Sequence, residues 1–459
     1  MKIERFEVPG LAQYSYVVSA NGKAAVIDAI RDFDGYLRYA EENQLTITHV
    51  LETHIHADFA AGSKALAAAT GAELALSAYD QDELYQYAMP HTHLRHGDDL
   101  QIGSVILKAI HTPGHTPEHL SFLAFDTTRS SSDPVALFSG DFLFAGSLGR
   151  PDLLGDAATQ RLAHMLYRSV HDSLRSLPDS LAIYPGHGAG SFCGSNMSEQ
   201  ADTTLGYERA TNELLSLEED AFLARVLGSL PPLPAYYPRM KRLNAAGAPA
   251  FDVLPGGKAL SLEEVHALSQ QPKVTLLDLR RPEAFGGAHI PGSINIGERQ
   301  NLSLWAGWLF DPSNAIVLLG DGSSEENTRR ALVRVGLDNI LGYLAKGVPA
   351  WLEAGYTFAR TQQVSVAEVL DRLSTSRVLD VREDNEWNAG HIAGAQHISL
   401  GSLPLQLEAL PKTQPVISVC GSGYRSSIAA SLLAARGFTE VSSMTGGMTA
   451  WKKQHAPLA

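Results

Sequence analysis

The C-terminal half of this chain is written twice. Asp278-Leu279-Arg280 followed by His289-Ile290-Pro291-Gly292 recurs as Asp380-Val381-Arg382 followed by His391-Ile392-Ala393-Gly394. Gly347-Val348-Pro349-Ala350-Trp351 recurs as Gly447-Met448-Thr449-Ala450-Trp451. An offset of about one hundred residues is a domain length, not the unit of a stacked solenoid, so this half predicts a tandem pair of α/β domains. The full length of 459 residues is too much for a single core. The expected domains span residues 1–245, with a linker to about 255, then 256–358 and 362–459. The cluster Pro231, Pro232, Pro234 and Pro238 reads as a stiff stretch leading out of the first domain.

The first half alternates short β-rich runs with helical ones. Ala24 to Asp28, His49 to Thr53, Val105 to Ile110 and Val135 to Phe138 read as buried strands, and Ser63 to Ala69 as a helix. Runs of this kind end in polar clusters: Thr53-His54-Ile55-His56-Ala57-Asp58, His111-Thr112-Pro113-Gly114-His115, Gly140-Asp141 and Pro185-Gly186-His187. Strand ends can converge from distant points in the sequence, which is how such sheets assemble a site. An isolated His-x-His is weak evidence, but with His115, Asp141 and His187 it makes a metal-dependent enzyme domain. A His/Asp set suits a borderline divalent metal, whereas calcium would take mainly oxygen ligands. The spacing by itself also allows a tri-histidine site that uses His56. The run His91-Thr92-His93-Leu94-Arg95-His96 reads as a loop and turn before a strand.

Charge and hydropathy narrow the setting. With 36 Lys+Arg against 50 Asp+Glu, the formal charge of −14 argues against nucleic acid or an anionic membrane as partner. No apolar run approaches the roughly 20 residues of a membrane span. Met1-Lys2-Ile3-Glu4-Arg5-Phe6 carries charges where a signal peptide is apolar, so a cytoplasmic location is expected. The two cysteines, Cys193 and Cys420, are too few for a disulfide framework.

Thr53 to Asp58, Pro113-Gly114-His115-Thr116, Gly140-Asp141 and Pro185-Gly186-His187 resemble the metallo-β-lactamase superfamily, which implies an αββα sandwich for the first half. In the two-metal hydrolases of that superfamily, such as glyoxalase II, a histidine follows the aspartate of the first motif. Here Phe59 stands in that place and offers no ligand. The resemblance to the single-iron branch, the persulfide dioxygenases, implies one Fe(II) per chain held by His54, His115 and Asp141. Two histidines and one carboxylate leave positions open for O2 and a substrate sulfur. His56, Asp58 and His187 would then orient the ligands or line the pocket. The same resemblance implies that Arg150 receives the anionic groups of the thiol carrier. It implies too that Cys193 is a thiol near the iron that carries or passes a persulfide.

In the last domain the apolar strand Pro415 to Val419 precedes Cys420-Gly421-Ser422-Gly423-Tyr424-Arg425-Ser426 and then a helix. Backbone N–H groups at such a turn can form an anion cradle at the helix N-terminus. The cradle, the helix dipole and Arg425 would favour a thiolate at Cys420. This loop, with Asp380-Val381-Arg382 and His391-Ile392-Ala393-Gly394 upstream, resembles a rhodanese domain, in which Cys420 would carry a sulfane sulfur as a persulfide. The middle domain has Gly320-Asp321-Gly322-Ser323-Ser324 at the corresponding loop and resembles a rhodanese without its nucleophile.

The fusion implies a shared sulfur intermediate. The expected activity is oxidation by O2 of a small thiol persulfide, such as glutathione persulfide, to sulfite, coupled through Cys420 to thiosulfate or sulfite. The alternatives are a binuclear zinc thioester hydrolase of the glyoxalase II type and a non-catalytic sulfur carrier or persulfide sensor. Superfamily resemblance allows a homo-oligomer.

Overall fold

The apolar runs of the first half form two six-stranded sheets in the computed structural model of the protein, which describes residues 1–299, 301–320 and 325–459. One sheet follows chain order: Lys2–Val8, Gln13–Ala20, Lys23–Ile27, Thr46–Leu51, Glu73–Ser77 and Thr92–Leu94. The other runs Thr203–Thr204, Ala182–Pro185, Ala136–Gly140, Leu120–Asp126, Val105–His111 and Asp99–Ile102. Their facing sides meet in one core that joins Tyr16, Val18, Ile27 and Leu51 to Leu107, Phe122, Ala124 and Phe138. Strand Leu120–Asp126 is buried along its whole length, so both of its faces are apolar. Phe122 and Ala124 face the other sheet, while Leu123 and Phe125 face outward onto Leu166, Phe222 and Val226. Helices Asp156–Arg168 and Glu219–Leu227 supply those residues and form an outer layer. Ser63–Thr70 packs on strand Thr46–Leu51 of the first sheet, which completes the αββα order.

Two sequence expectations are corrected here. The histidine-rich run is not all loop: Thr92–Leu94 pairs in parallel with Glu73–Ser77 as an edge strand, and only then does the chain turn at Gly97. The proline cluster does not lead straight out of the domain. Pro238 lies in the first turn of the helix Tyr237–Ala246, where its fixed φ suits a helix start. The main chain at Pro231 and Pro232 accepts hydrogen bonds from Arg150. The described residues divide into two compact units, Met1–Phe251 with Val333–Gly336, and Asp252–Leu332 with Leu337–Ala459.

The second unit contains two five-stranded parallel sheets of the same order. Their central strands are Ala315–Leu319 and Val416–Val419. The repeated motifs turn out to be structural staples. Asp278 and Asp380 end equivalent strands and each takes a two-pronged grip from the arginine two residues on, Arg280 at 2.6–3.2 Å and Arg382 at 2.7–3.0 Å. His289 stacks on Phe285 at 3.8 Å and His391 on Trp387 at 3.4 Å. Trp351 and Trp451 each donate an indole N–H at 2.9 Å to a carbonyl six residues on. The loop Asp321 to Ser324 lies outside the described residues.

Candidate metal centre and sulfur-carrying loop

Strands of the two sheets end at one place. Asp28 follows Lys23–Ile27, Thr53 and His54 follow Thr46–Leu51, His115 follows Val105–His111, Asp141 follows Ala136–Gly140, and His187 follows Ala182–Pro185. His54, His115 and Asp141 offer ligand atoms within 4.8 Å of one another, and all three residues are buried. His115 Nε2 lies 3.3 Å and His54 Nε2 3.8 Å from Asp141 Oδ2. Among the described residues none of these three atoms has a hydrogen-bond partner.

The neighbours fix which ring nitrogen carries each proton. Thr53 Oγ1 donates to the Asp28 carboxylate at 2.9 Å, so toward His54 Nδ1, also at 2.9 Å, its oxygen accepts. His115 Nδ1 faces the Arg150 carbonyl at 2.9 Å and must donate to it. Both Nε2 atoms therefore present lone pairs to a carboxylate oxygen. Three buried acceptors without a proton between them repel one another, and a cation resolves the conflict. Burial, then the neighbouring histidines, pushes the His54 and His115 imidazoles well below their ordinary range, which favours the neutral form a metal takes. The residues thus fit a metal ion.

The surrounding groups hold this set in place. Asp141 Oδ1 bonds His187 Nδ1 and His187 Nε2 bonds Asp58 Oδ2, both at 2.7 Å. Burial opposes a charge on His187, but the Asp141 and Asp58 carboxylates outweigh it and raise the imidazole well above its usual range. The Asp141 amide donates to His119 Nε2 at 3.1 Å. His56 Nε2 binds Asp28 Oδ1 at 3.0 Å and falls outside the ligand set. Asp28 itself has φ of 57°, a left-handed conformation, and bonds the Thr53 amide at 2.7 Å. Asp28 and His119 were given no role from the sequence, and Thr53 was noted only as the start of its motif. Asp28 could have been given one, because it ends an apolar strand as the other members do.

Among the described residues a second cluster, Asp58, His187 and Cys193, also brings its ligand atoms within 4.8 Å. Cys193 is thus at the site. Burial first, then Asp58 and Asp141, raises its thiol well above the ordinary range, so in the metal-free centre it is protonated.

Arg150 is a correction. Expected to receive a substrate anion, it is only 2% exposed and its donors are spent within the protein. Nε and one terminal nitrogen grip Asp152 at 2.6 and 2.7 Å, and the rest reach the carbonyls of Phe192, Pro232 and Pro231 at 3.0, 3.4 and 2.7 Å. An arginine has five N–H groups, and these contacts use them. Its carbonyl, not its guanidinium, serves the site, through His115.

In the second unit, Cys420 follows strand Val416–Val419 and Tyr424–Ala435 is the helix beyond it. Gly423 lies at φ of 105° and its N–H donates to Cys420 Sγ at 3.1 Å, as one inward-pointing amide of the expected cradle would. Arg425 is in the loop, but both terminal nitrogens bind the Glu386 carboxylate, at 2.6 and 2.7 Å. Sequence reasoning missed Glu386, which sits at the start of another helix.

Comparison with known proteins accords with this geometry. Residues 8–187 match the metallo-beta-lactamase superfamily, and 261–354 and 365–454 match the rhodanese-like domain. The chain belongs to the metallo-beta-lactamase superfamily, with two rhodanese-like domains after the metal-binding one. It is similar to a hydroxyacylglutathione hydrolase of Polaromonas, 30% identical over 48% of this chain and 88% of the relative. A hydroxyacylglutathione hydrolase of Methylobacterium is 31% identical over 46% and 85%. The crystal structure of a metallo-beta-lactamase from Staphylococcus aureus is 37% identical, covers 75% of this chain and 98% of its own, and superposes with a TM-score of 0.67. Among the described residues no helix is long and apolar enough to cross a membrane.

Proposed function

We propose that the first unit is a mononuclear Fe(II) persulfide dioxygenase and that Cys420 is a rhodanese nucleophile handling the same sulfur. The observation that supports this most is the contrast in proton economy at the centre. His54 Nε2, His115 Nε2 and Asp141 Oδ2 are free for one ion, whereas both nitrogens of His187 are engaged by carboxylates. Phe59, buried against His56, adds no donor for a second ion. Bound iron would supply open positions for O2 and a sulfur. The chain's own part is orientation. Thr53 and the Arg150 carbonyl fix the two tautomers, and His187 holds Asp141 Oδ1 so that Oδ2 faces the histidines. A thiol persulfide, O2 and water would yield the thiol, sulfite and two protons. Cys420 would take a sulfane sulfur from thiosulfate and release sulfite, or run the reverse.

Anaerobically Fe(II)-loaded protein should consume O2 when given glutathione persulfide, and His115→Ala should abolish the uptake. No uptake by the loaded protein, or full activity in His115→Ala, overturns the reading. A second reading, a two-metal thioester hydrolase, is favoured by the Asp58, His187 and Cys193 cluster and by the names of the relatives. Metal analysis separates them: about one iron per chain for the dioxygenase, two zincs for the hydrolase.

A further inference from the structure

The loop from Ile55 to Ala61, which directly follows the candidate ligand His54, is buried and contains neither helix nor strand, so its backbone polar groups need partners from elsewhere. Most come from one short stretch far along the chain. Lys241 Nζ donates to the Ile55 carbonyl at 2.6 Å, and the Tyr236 hydroxyl donates to the Asp58 carbonyl at 3.1 Å. Asn244 Nδ2 donates to the carbonyls of His56 and Phe59 at 2.8 and 2.7 Å, while its Oδ1 accepts from the Ala61 amide at 2.8 Å. Across the same loop, Glu118 Oε1 accepts the Ile55 amide at 2.8 Å. All of these side chains are nearly sealed: Tyr236 3%, Lys241 1%, Asn244 1% and Glu118 2% exposed.

We infer that Tyr236, Lys241 and Asn244 are positioning residues that set the geometry of the metal loop, and that the centre is incomplete without this segment. The segment lies beyond residues 8–187, the part that matches the superfamily. Burying an ammonium costs stability that an apolar residue would not, here offset in part by nearby Glu118. Burial accordingly lowers the ordinary pKa of Lys241. Asn244 uses both ends of its amide to tie positions 56, 59 and 61 together, which fixes the loop's curvature around His54 and Asp58. The inference does not depend on whether the metal is iron or zinc.

The test uses the full chain and Co(II), whose visible absorption reports ligand geometry. Asn244→Leu, of the same branched shape but without polar atoms, should weaken Co(II) in a chelator competition by about 10–100-fold, the range for groups that hold ligands in place. Its Co(II) bands should move, and the rise in Tm on adding Co(II) should shrink. A merely structural role would lower the Tm of the metal-free protein and leave Co(II) affinity and bands as they were. That result overturns the inference. If Asn244→Leu does not fold, Tyr236→Phe decides: it removes a single hydroxyl and should still shift the bands and weaken Co(II), and unchanged values overturn the inference. Because the readout is metal binding, it stands or falls separately from O2 uptake.

Discussion

Gly186 shows how closely the centre is built at the level of single atoms. A methyl group there would lie 2.6 Å from Asp141 Oδ1, inside any allowed contact. Gly186→Ala should therefore push Asp141 off its seat and weaken metal by about tenfold or more, a loss that metal titration would reveal. Unchanged affinity would mean that Asp141 is held less tightly than its bond to His187 indicates. Glu52 offers a test by pH. It is buried, and desolvation raises its carboxyl from 4.5 to about 7, with His56 and the Tyr87 hydroxyl opposing. A folded pKa above the unfolded one means that the folded state binds the extra proton. The benefit is complete below about pH 4.5 and is lost as pH rises through about 7. In the metal-free protein, Glu52→Gln should therefore lose less stability than the parent between pH 5 and 8. The difference should reach up to about 3 kcal/mol by urea unfolding at the two values. Parallel curves would place the Glu52 titration outside that window.

The residues of the candidate sites were readable where strand periodicity met a polar end, as at His54, His115, Asp141 and Cys420. That signal is local, because an apolar run and its last residues are neighbours in sequence. Lys241 and Asn244 carry no such mark. They lie on an ordinary helix, Tyr237–Ala246, and their importance exists only in bonds to residues more than 180 positions away. Arg150 failed for the same reason, since its burial depends on carbonyls more than 80 residues downstream. The helix Tyr424–Ala435 is likewise held by tertiary bonds. Asn295, in the cysteine-free domain, accepts from Ser427 Oγ at 2.6 Å and donates its amide to Ser431 Oγ at 3.0 Å. Tyr424, within the sulfur-carrying loop, donates to the Gly297 carbonyl at 3.0 Å. The cysteine-free copy thus braces the loop that carries Cys420. Asn295→Ala removes the side-chain partners of Ser427 and of the Asp278 and Arg280 carbonyls. It should cost about 1–3 kcal/mol of stability and change the rate of alkylation mapped to Cys420. A wild-type rate would confine the contact to stability.

At the scale of the whole molecule, the question is why a candidate metal centre and the Cys420 loop of a rhodanese-like domain share one chain. On the proposed function, their chemistries would join at a persulfide. The metal centre would consume one and release sulfite; Cys420 would form one from thiosulfate, or spend one on sulfite. Each site has its own complete set of groups. The ligand atoms of His54, His115 and Asp141 converge among residues of the first unit, and the Cys420 cradle is built from residues 420–426 with Glu386. Two self-sufficient sites should be separable by mutation. Cys420→Ser keeps the size of the side chain and removes the nucleophile. It should abolish transfer from thiosulfate to an acceptor thiol, while O2 uptake on supplied glutathione persulfide stays near that of the parent. His115→Ala should show the opposite pattern, with sulfur transfer retained and O2 uptake gone. If Cys420→Ser lost both activities equally, the persulfide would have to pass through Cys420 on its way to oxidation. The two sites would then be successive stations of one route.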